Sequence, residues 1–301
     1  MTAAVTPSLT LSGVKSHRLL WPVLAFLLIV SWSSGFIGIR YANEEASIAT
    51  LLFWRVLLSG LILLPFALYF GPPMKWRSVL KQAQFGVMAV FLYIGGFALA
   101  IEQRVPTGLV ALIADLLPLM IACLSQPLLG ERLTRVQWIG TAIALGGVML
   151  ASADAVSFGS APLWAYGVTV GSMVVFAFAT VLFRKGRDAH MPVHQTICIQ
   201  MLTAAVLFGI CAWWQGELAP PLSANFAKGM VWLVLVATFL AYAVYYTSLK
   251  LYPAAKVSAA IYLSPPVTML WAYLAFDEPF TKMMALGLAV TMLGVVMASR
   301  G

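Results

Sequence analysis

PTGLVALIADLLPLMIACLSQPLLGERLTRVQWIGTAIALGGVMLAS at residues 106–152 and PAAKVSAAIYLSPPVTMLWAYLAFDEPFTKMMALGLAVTMLGVVMAS at residues 253–299 decide the reading of this chain. Laid over each other without a gap at an offset of 147, they keep Pro106/Pro253, Val110/Val257, Leu116/Leu263, Pro118/Pro265, Glu131/Glu278, Thr134/Thr281, Gly140/Gly287 and Gly147/Gly294. Each copy is a hydrophobic segment opened by one proline and interrupted by another, then an acidic connection, then a glycine-rich hydrophobic segment. The offset is far longer than the roughly 20–50 residues of soluble solenoid repeats. The apolar segments match the roughly 20 residues needed to cross 30 Å of hydrocarbon. The chain therefore reads as a duplicated membrane protein.

Composition points the same way. The 301 residues are 62% hydrophobic and 9% charged, with mean hydropathy +0.94, where a soluble domain carries about a quarter charged residues. Lipid is the solvent such a surface requires. The net charge of +8 does not indicate nucleic acid, because the basic residues are scattered in small groups between apolar runs. Cys123, Cys198 and Cys211 lie inside apolar runs without metal or redox spacing and read as packing residues.

Residues 1–18 form a polar N-terminal tail. Apolar spans follow at about 19–39, 47–70, 79–101, 106–129 and 135–153, and again at 162–183, 192–214, 227–249, 253–276 and 282–298. Ten spans divide into two five-helix repeats, residues 19–153 and 160–301, of an all-α integral membrane protein. With the N-terminus inside, one side collects thirteen Lys and Arg and the other only Arg40, Arg104, Lys228 and Lys282. The positive-inside bias puts both termini in the cytoplasm. An odd number of spans per repeat then inserts the second copy upside down, an inverted-topology duplication. Two equivalent bundles of opposite orientation can exchange conformations, which suits alternating access.

The chain resembles the drug/metabolite transporter superfamily, and within it the ten-helix EamA-type exporters. The resemblance rests on Trp32-Ser33-Ser34-Gly35-Phe36 in span 1, Phe53-Trp54-Arg55 in span 2, and the paired blocks Ala114-Asp115-Leu116-Leu117-Pro118 to Glu131 and Leu263-Ser264-Pro265-Pro266 to Glu278. It covers nearly all of the chain after residue 18. Span 1 departs from the usual Trp-Gly pair, with Trp32-Ser33 here and Phe176-Ala177 in the second copy, and it lacks the carboxylate of the small multidrug relatives. The resemblance implies a bacterial inner-membrane exporter of amino acids or related metabolites, with spans 3, 4, 8 and 9 around the central path.

The residues themselves nominate a site. Asp115 is the acidic residue deep in an apolar run, where a carboxylate costs about 2.5–3.5 kcal/mol to insert, so it faces the bundle interior or water. It reads as a contact for a substrate ammonium, as a proton-coupling group, or as a packing salt bridge with Arg55. Pro118 and Pro265 each remove a backbone donor and free the carbonyl one turn before. Tyr262 aligns with Asp115 and stands beside Ser264. Tyr93 and Phe97 share one helical face, as do Tyr242 and Tyr246, while Tyr245 points away. Trp32 completes the set as a deep aromatic. Glu131 and Glu278 read as charges near the N-caps Thr134 and Thr281, favourable to the dipoles of spans 5 and 10.

No His-Glu-x-x-His, Gly-x-Ser-x-Gly or Walker loop is present, so the reading is not enzymatic, needs no cofactor and no metal, and leaves transport secondary. The expected partners are a small-molecule substrate and the bilayer, and ten helices suffice for a monomer. Amino acids, aromatic or neutral ones favoured, are the expected cargo. Other small metabolites or lipophilic drugs are the alternative.

Overall fold

In the computed structural model, residues 14–130, 134–158, 161–184, 191–252 and 254–300 are described. They form α-helices joined by short loops, with no strand among them. The first half contains α1 (Val14–Ala42), α2 (Ile48–Tyr69), α3 (Trp76–Gly86), α4 (Tyr93–Glu102), α5 (Thr107–Ala114), α6 (Leu117–Leu129) and α7 (Arg135–Phe158). The second contains α8 (Leu163–Arg184), α9 (Val193–Trp214), α10 (Ala224–Val231), α11 (Ala241–Leu251), α12 (Ala254–Ile261), α13 (Ser264–Phe276) and α14 (Lys282–Arg300). Eight helical runs among the described residues are long and apolar enough to cross a membrane. The interrupted pair α12–α13 and the shorter apolar run Lys282–Ala298 make up the ten expected spans.

The interruptions fall where the prolines put them. Pro118 and Pro265 cannot donate to the carbonyls of Ala114 and Ile261, and the helix breaks instead of bending. At each break the chain tightens by one residue, so that Leu116 N–H donates to the Ile113 carbonyl (3.1 Å) and Leu263 N–H to the Ala260 carbonyl (3.0 Å). Spans 4 and 9 are therefore two-piece helices. Spans 3 and 8 carry a different irregularity that the sequence pattern did not indicate. Both run through a π-helical segment, Val87–Leu92 between α3 and α4 and Trp232–Leu240 between α10 and α11. The two segments overlap when shifted by the repeat offset, and each delivers a tyrosine-bearing helix to the centre. In the second, Thr238 Oγ1 fills the bulge by donating to the Leu233 carbonyl five residues back (2.9 Å).

Two seams join the halves. Along α7 and α14 the glycines bring backbone against backbone: a Cβ on Gly140 would lie 2.5 Å from Ala298 N, and one on Gly287 would lie 2.7 Å from Ala151 N. Gly140 and Gly287 are repeat mates, as are Ala151 and Ala298, so each residue meets the mate of its own partner. The helices run antiparallel about a pseudo-twofold axis, the geometry of a two-fold interface. The α2–α9 seam repeats the arrangement with one bulky side chain per glycine, Leu202 over Gly60 and Phe53 over Gly209. Thr134 caps α7 through Gln137 N–H (3.2 Å), and Thr281 caps α14 through Met284 N–H (3.1 Å), as the sequence suggests.

Candidate functional site

The two breaks, the two tyrosine-bearing helices and α2 converge at the centre. Asp115 occupies the break between α5 and α6. Its Oδ2 is fully buried and has no hydrogen-bond partner among the described residues. Tyr93 on α4 and Tyr262 at the break between α12 and α13 both lie within its electrostatic reach. Tyr93 in turn neighbours Tyr242, and Tyr242 neighbours Arg55 of α2. Carboxylate and guanidinium thus each neighbour a phenol of the same tyrosine cluster.

They are not a salt bridge. Among the described residues no carboxylate lies within ion-pair distance of Arg55, whose Nη2 donates to Thr238 Oγ1 (3.4 Å) on the π-helical segment of the other half. The packing alternative for Asp115 is therefore not met. Arg55 ties α2 to the bulge of span 8, and tyrosines fill the space between it and Asp115.

Rings line the cluster. Tyr93 packs on Phe97 (4.5 Å between centroids) and on Phe176 (4.4 Å), and Tyr242 stacks on Tyr246 (6.2 Å, 21° between planes). Phe176, the repeat mate of Trp32, was not among the residues nominated from sequence; the repeat alignment was the signal that pointed to it. Trp32 itself does not join this cluster. It packs 5.7 Å from Tyr245 in a separate group with Leu24, Leu28 and Val244. Tyr245, expected from the sequence to point away from the Tyr242 face, meets Trp32 on one side but also packs edge-on against Tyr246 (5.4 Å), so it bridges the two groups. Ser264 is buried, and both its carbonyl and its hydroxyl lie 3.1 Å from Ser33 Oγ. The serine that replaces glycine in the Trp-Gly pair thus pins α1 to the break of span 9.

The end of the bundle at the start of α5 is closed by charge. Glu278 does not act on the helix that follows it, as the sequence suggests. It reaches the start of α5 instead, accepting from Thr107 N–H (2.6 Å) and Thr107 Oγ1 (2.5 Å). Pro106 stands at the N-cap and offers no side-chain acceptor, so the first N–H groups of α5 are open to a distant carboxylate. Arg40 Nε lies 3.8 Å from Glu278 and its guanidinium also bonds Glu44, which Arg104 holds from the other side (2.9 Å). Arg104 and Arg40 together hold the Glu44 carboxyl down at about 2. Burial pushes the Glu278 carboxyl above the usual range, opposed by the Thr107 bonds and Arg40. Glu131, its repeat mate, lies outside the described residues.

The two ends of spans 4 and 9 differ. Every residue of α5 is buried, and Gly108 is packed so tightly on Met269 of α13 that no side chain fits there. At the opposite end a cavity of about 150 Å³ lies between α6, α7, Tyr262 and α14, lined by Pro118, Ala122, Thr141 and Ala298 among others. Ala122 is the repeat mate of Met269, and the exposed Pro118 is the mate of the buried Pro265. Packing is thus tight where α5 meets α13 and looser beside the break of span 4.

Comparison with known proteins fits this architecture. The chain is 29% identical to the uncharacterized inner membrane transporter YedA of Escherichia coli K12, over 92% of this chain and 89% of that protein. It is 23% identical to a probable terminal-alkyne amino-acid exporter of Streptantibioticus cattleyicolor, over 95% of each. To a probable amino-acid metabolite efflux pump of Escherichia coli K12 it is also 23% identical, over 91% of this chain and 92% of that protein. A solved crystal structure superposes with TM-score 0.63 at 20% identity, over 92% of this chain and 95% of that one, and shares the fold. These relatives are transporters, not enzymes. The EamA-like transporter family matches residues 19–153 and 163–300, and with a profile covering both halves the chain belongs to that family, a multi-pass membrane transporter.

Proposed function

We propose that the chain is a secondary transporter of the inner membrane that exports amino acids, aromatic or neutral ones favoured, by alternating access between its two repeats, residues 19–153 and 160–301. The observation that carries this reading is the buried, unpartnered Oδ2 of Asp115 among phenols at a helix break. A carboxylate at that depth costs about 2.5–3.5 kcal/mol, and a substrate ammonium supplies the partner that the protein does not. Tyr93, Phe97, Tyr242, Tyr246 and Tyr262 offer ring faces and hydroxyls to the rest of an amino acid, while Ser264 and Trp32 fix the surrounding helices. Two relatives named for amino-acid export support the cargo class. The charge bias supports a cytoplasmic position for both termini and for residues 1–18. The Thr107–Glu278 end, closed in this structure, then faces outward.

Counterflow of labelled amino acids into proteoliposomes preloaded with the unlabelled compound tests the reading without knowledge of a driving force. Stereoselective uptake of Phe, Trp, Thr or Met above empty liposomes is expected. No signal from folded protein would transfer the proposal to other metabolites or lipophilic drugs. In the same assay Tyr246→Ala is expected to raise the apparent KM several-fold more for Phe than for Thr, because an aromatic pair contributes about 0.5–1.5 kcal/mol beyond area. Equal changes for both would reduce Tyr246 to helix packing.

A further inference from the structure

We infer that Glu278 is the latch of the outer gate, a carboxylate at the end of one broken helix that caps the start of the other. This inference rests on the alternating-access reading and the orientation proposed above.

The start of α5 would be easy to cap locally, since a Ser, Thr, Asp or Asn before Thr107 would satisfy its open N–H groups. Proline stands there instead. The cap arrives from 171 residues away, across the repeat boundary, and both Glu278 oxygens are used on Thr107. A bond of this kind exists only while α5 and α13 are together. The packing of Gly108 on Met269 one turn further in shows the same closure from apolar groups.

The groups around Glu278 are also arranged for release. Arg40 of α1 and, through Glu44, Arg104 of the loop before α5 surround it with charges that water can solvate when the end opens. Two residues at this end hold left-handed backbone without being glycine, Arg104 (φ 66°) and Asp277 (φ 52°). Asp277 is the residue that turns the chain back so that Glu278 reaches α5. Its repeat mate is Gly130 (φ 74°), for which the same conformation carries no steric penalty.

The test reads gate opening with no substrate present, so it stands or falls apart from the amino-acid reading. In a background with Cys123, Cys198 and Cys211 replaced by alanine, Met269→Cys places a thiol where the closed end shields it. A membrane-impermeant maleimide is added from the outer side of oriented proteoliposomes. Glu278→Ala is expected to speed labelling about tenfold, the scale of a lost charge-assisted hydrogen bond. Thr107→Ala should act in the same direction with a smaller effect, and serves if Glu278→Ala does not fold. Unchanged labelling in folded Glu278→Ala and Thr107→Ala protein would overturn the latch.

Discussion

Asp115→Asn is expected to slow amino-acid counterflow by about ten- to a hundredfold while raising the thermal stability of the purified protein. The two effects have one cause. Asp115 keeps a buried carboxylate oxygen without a partner, and an amide of the same shape removes a charge that is costly to hold in a low-dielectric site. The substrate ammonium, in turn, loses a charge-assisted hydrogen bond of about 1.5–3 kcal/mol. Initial counterflow rates and a melting curve on the same preparation check both parts. A variant that transports normally would remove Asp115 from the mechanism. One that transports poorly and melts earlier would make the carboxylate a structural group, because only a group bound to protein destabilises the fold when it is neutralised. Few substitutions in this chain separate the two readings so cleanly, since most residues that touch substrate also pack against something.

The second large effect concerns neighbouring glycines. Gly147→Ala is expected to cost about 1–3 kcal/mol or to prevent folding, whereas Gly146→Ala is expected to be neutral or mildly stabilising. A Cβ on Gly147 would press on Thr291 and lie 2.6 Å from the Gly287 carbonyl oxygen, both on α14, with no flexible side-chain tip that could move aside. A Cβ on Gly146 would meet nothing within 4 Å. The surviving fraction of detergent-solubilised protein after heating, read by size-exclusion chromatography, checks the pair. Similar losses for both variants would mean that the seam between α7 and α14 is looser than its backbone contacts require.

Proline, glycine and charge carried most of what the sequence disclosed. Pro118 and Pro265 act through the backbone, so their effect on spans 4 and 9 is nearly independent of what packs around them. The glycines at 140, 147, 287 and 294 recur at the repeat offset because two backbones need the room. Asp115 stands out because a carboxylate in an apolar run needs a reason. What escaped is what depends on a partner far along the chain. Nothing local distinguishes the π-helical segment Trp232–Leu240 from an ordinary apolar turn, since its bulge meets distant contacts such as Arg55 on Thr238. Glu278 lies near a helix start in sequence and caps another one in space. Trp32 is as apolar and as deep as the residues of the central cluster, and only the rotation of α1 sends it to Tyr245.

The seams between the halves also bear on how such a chain could have come about. An interface in which every residue faces the mate of its own partner is the one a single protein makes with a second copy of itself turned over. A five-helix ancestor that entered the bilayer in either direction would already have possessed the α7–α14 and α2–α9 contacts as a homodimer. Fusion of two such genes would then have needed only a connecting segment, and afterwards each half was free to diverge. Asp115 and its repeat mate Tyr262, and Thr107 and its mate Ala254, are positions where the two halves differ: the twin surfaces of such a dimer would become one surface with two unlike sides.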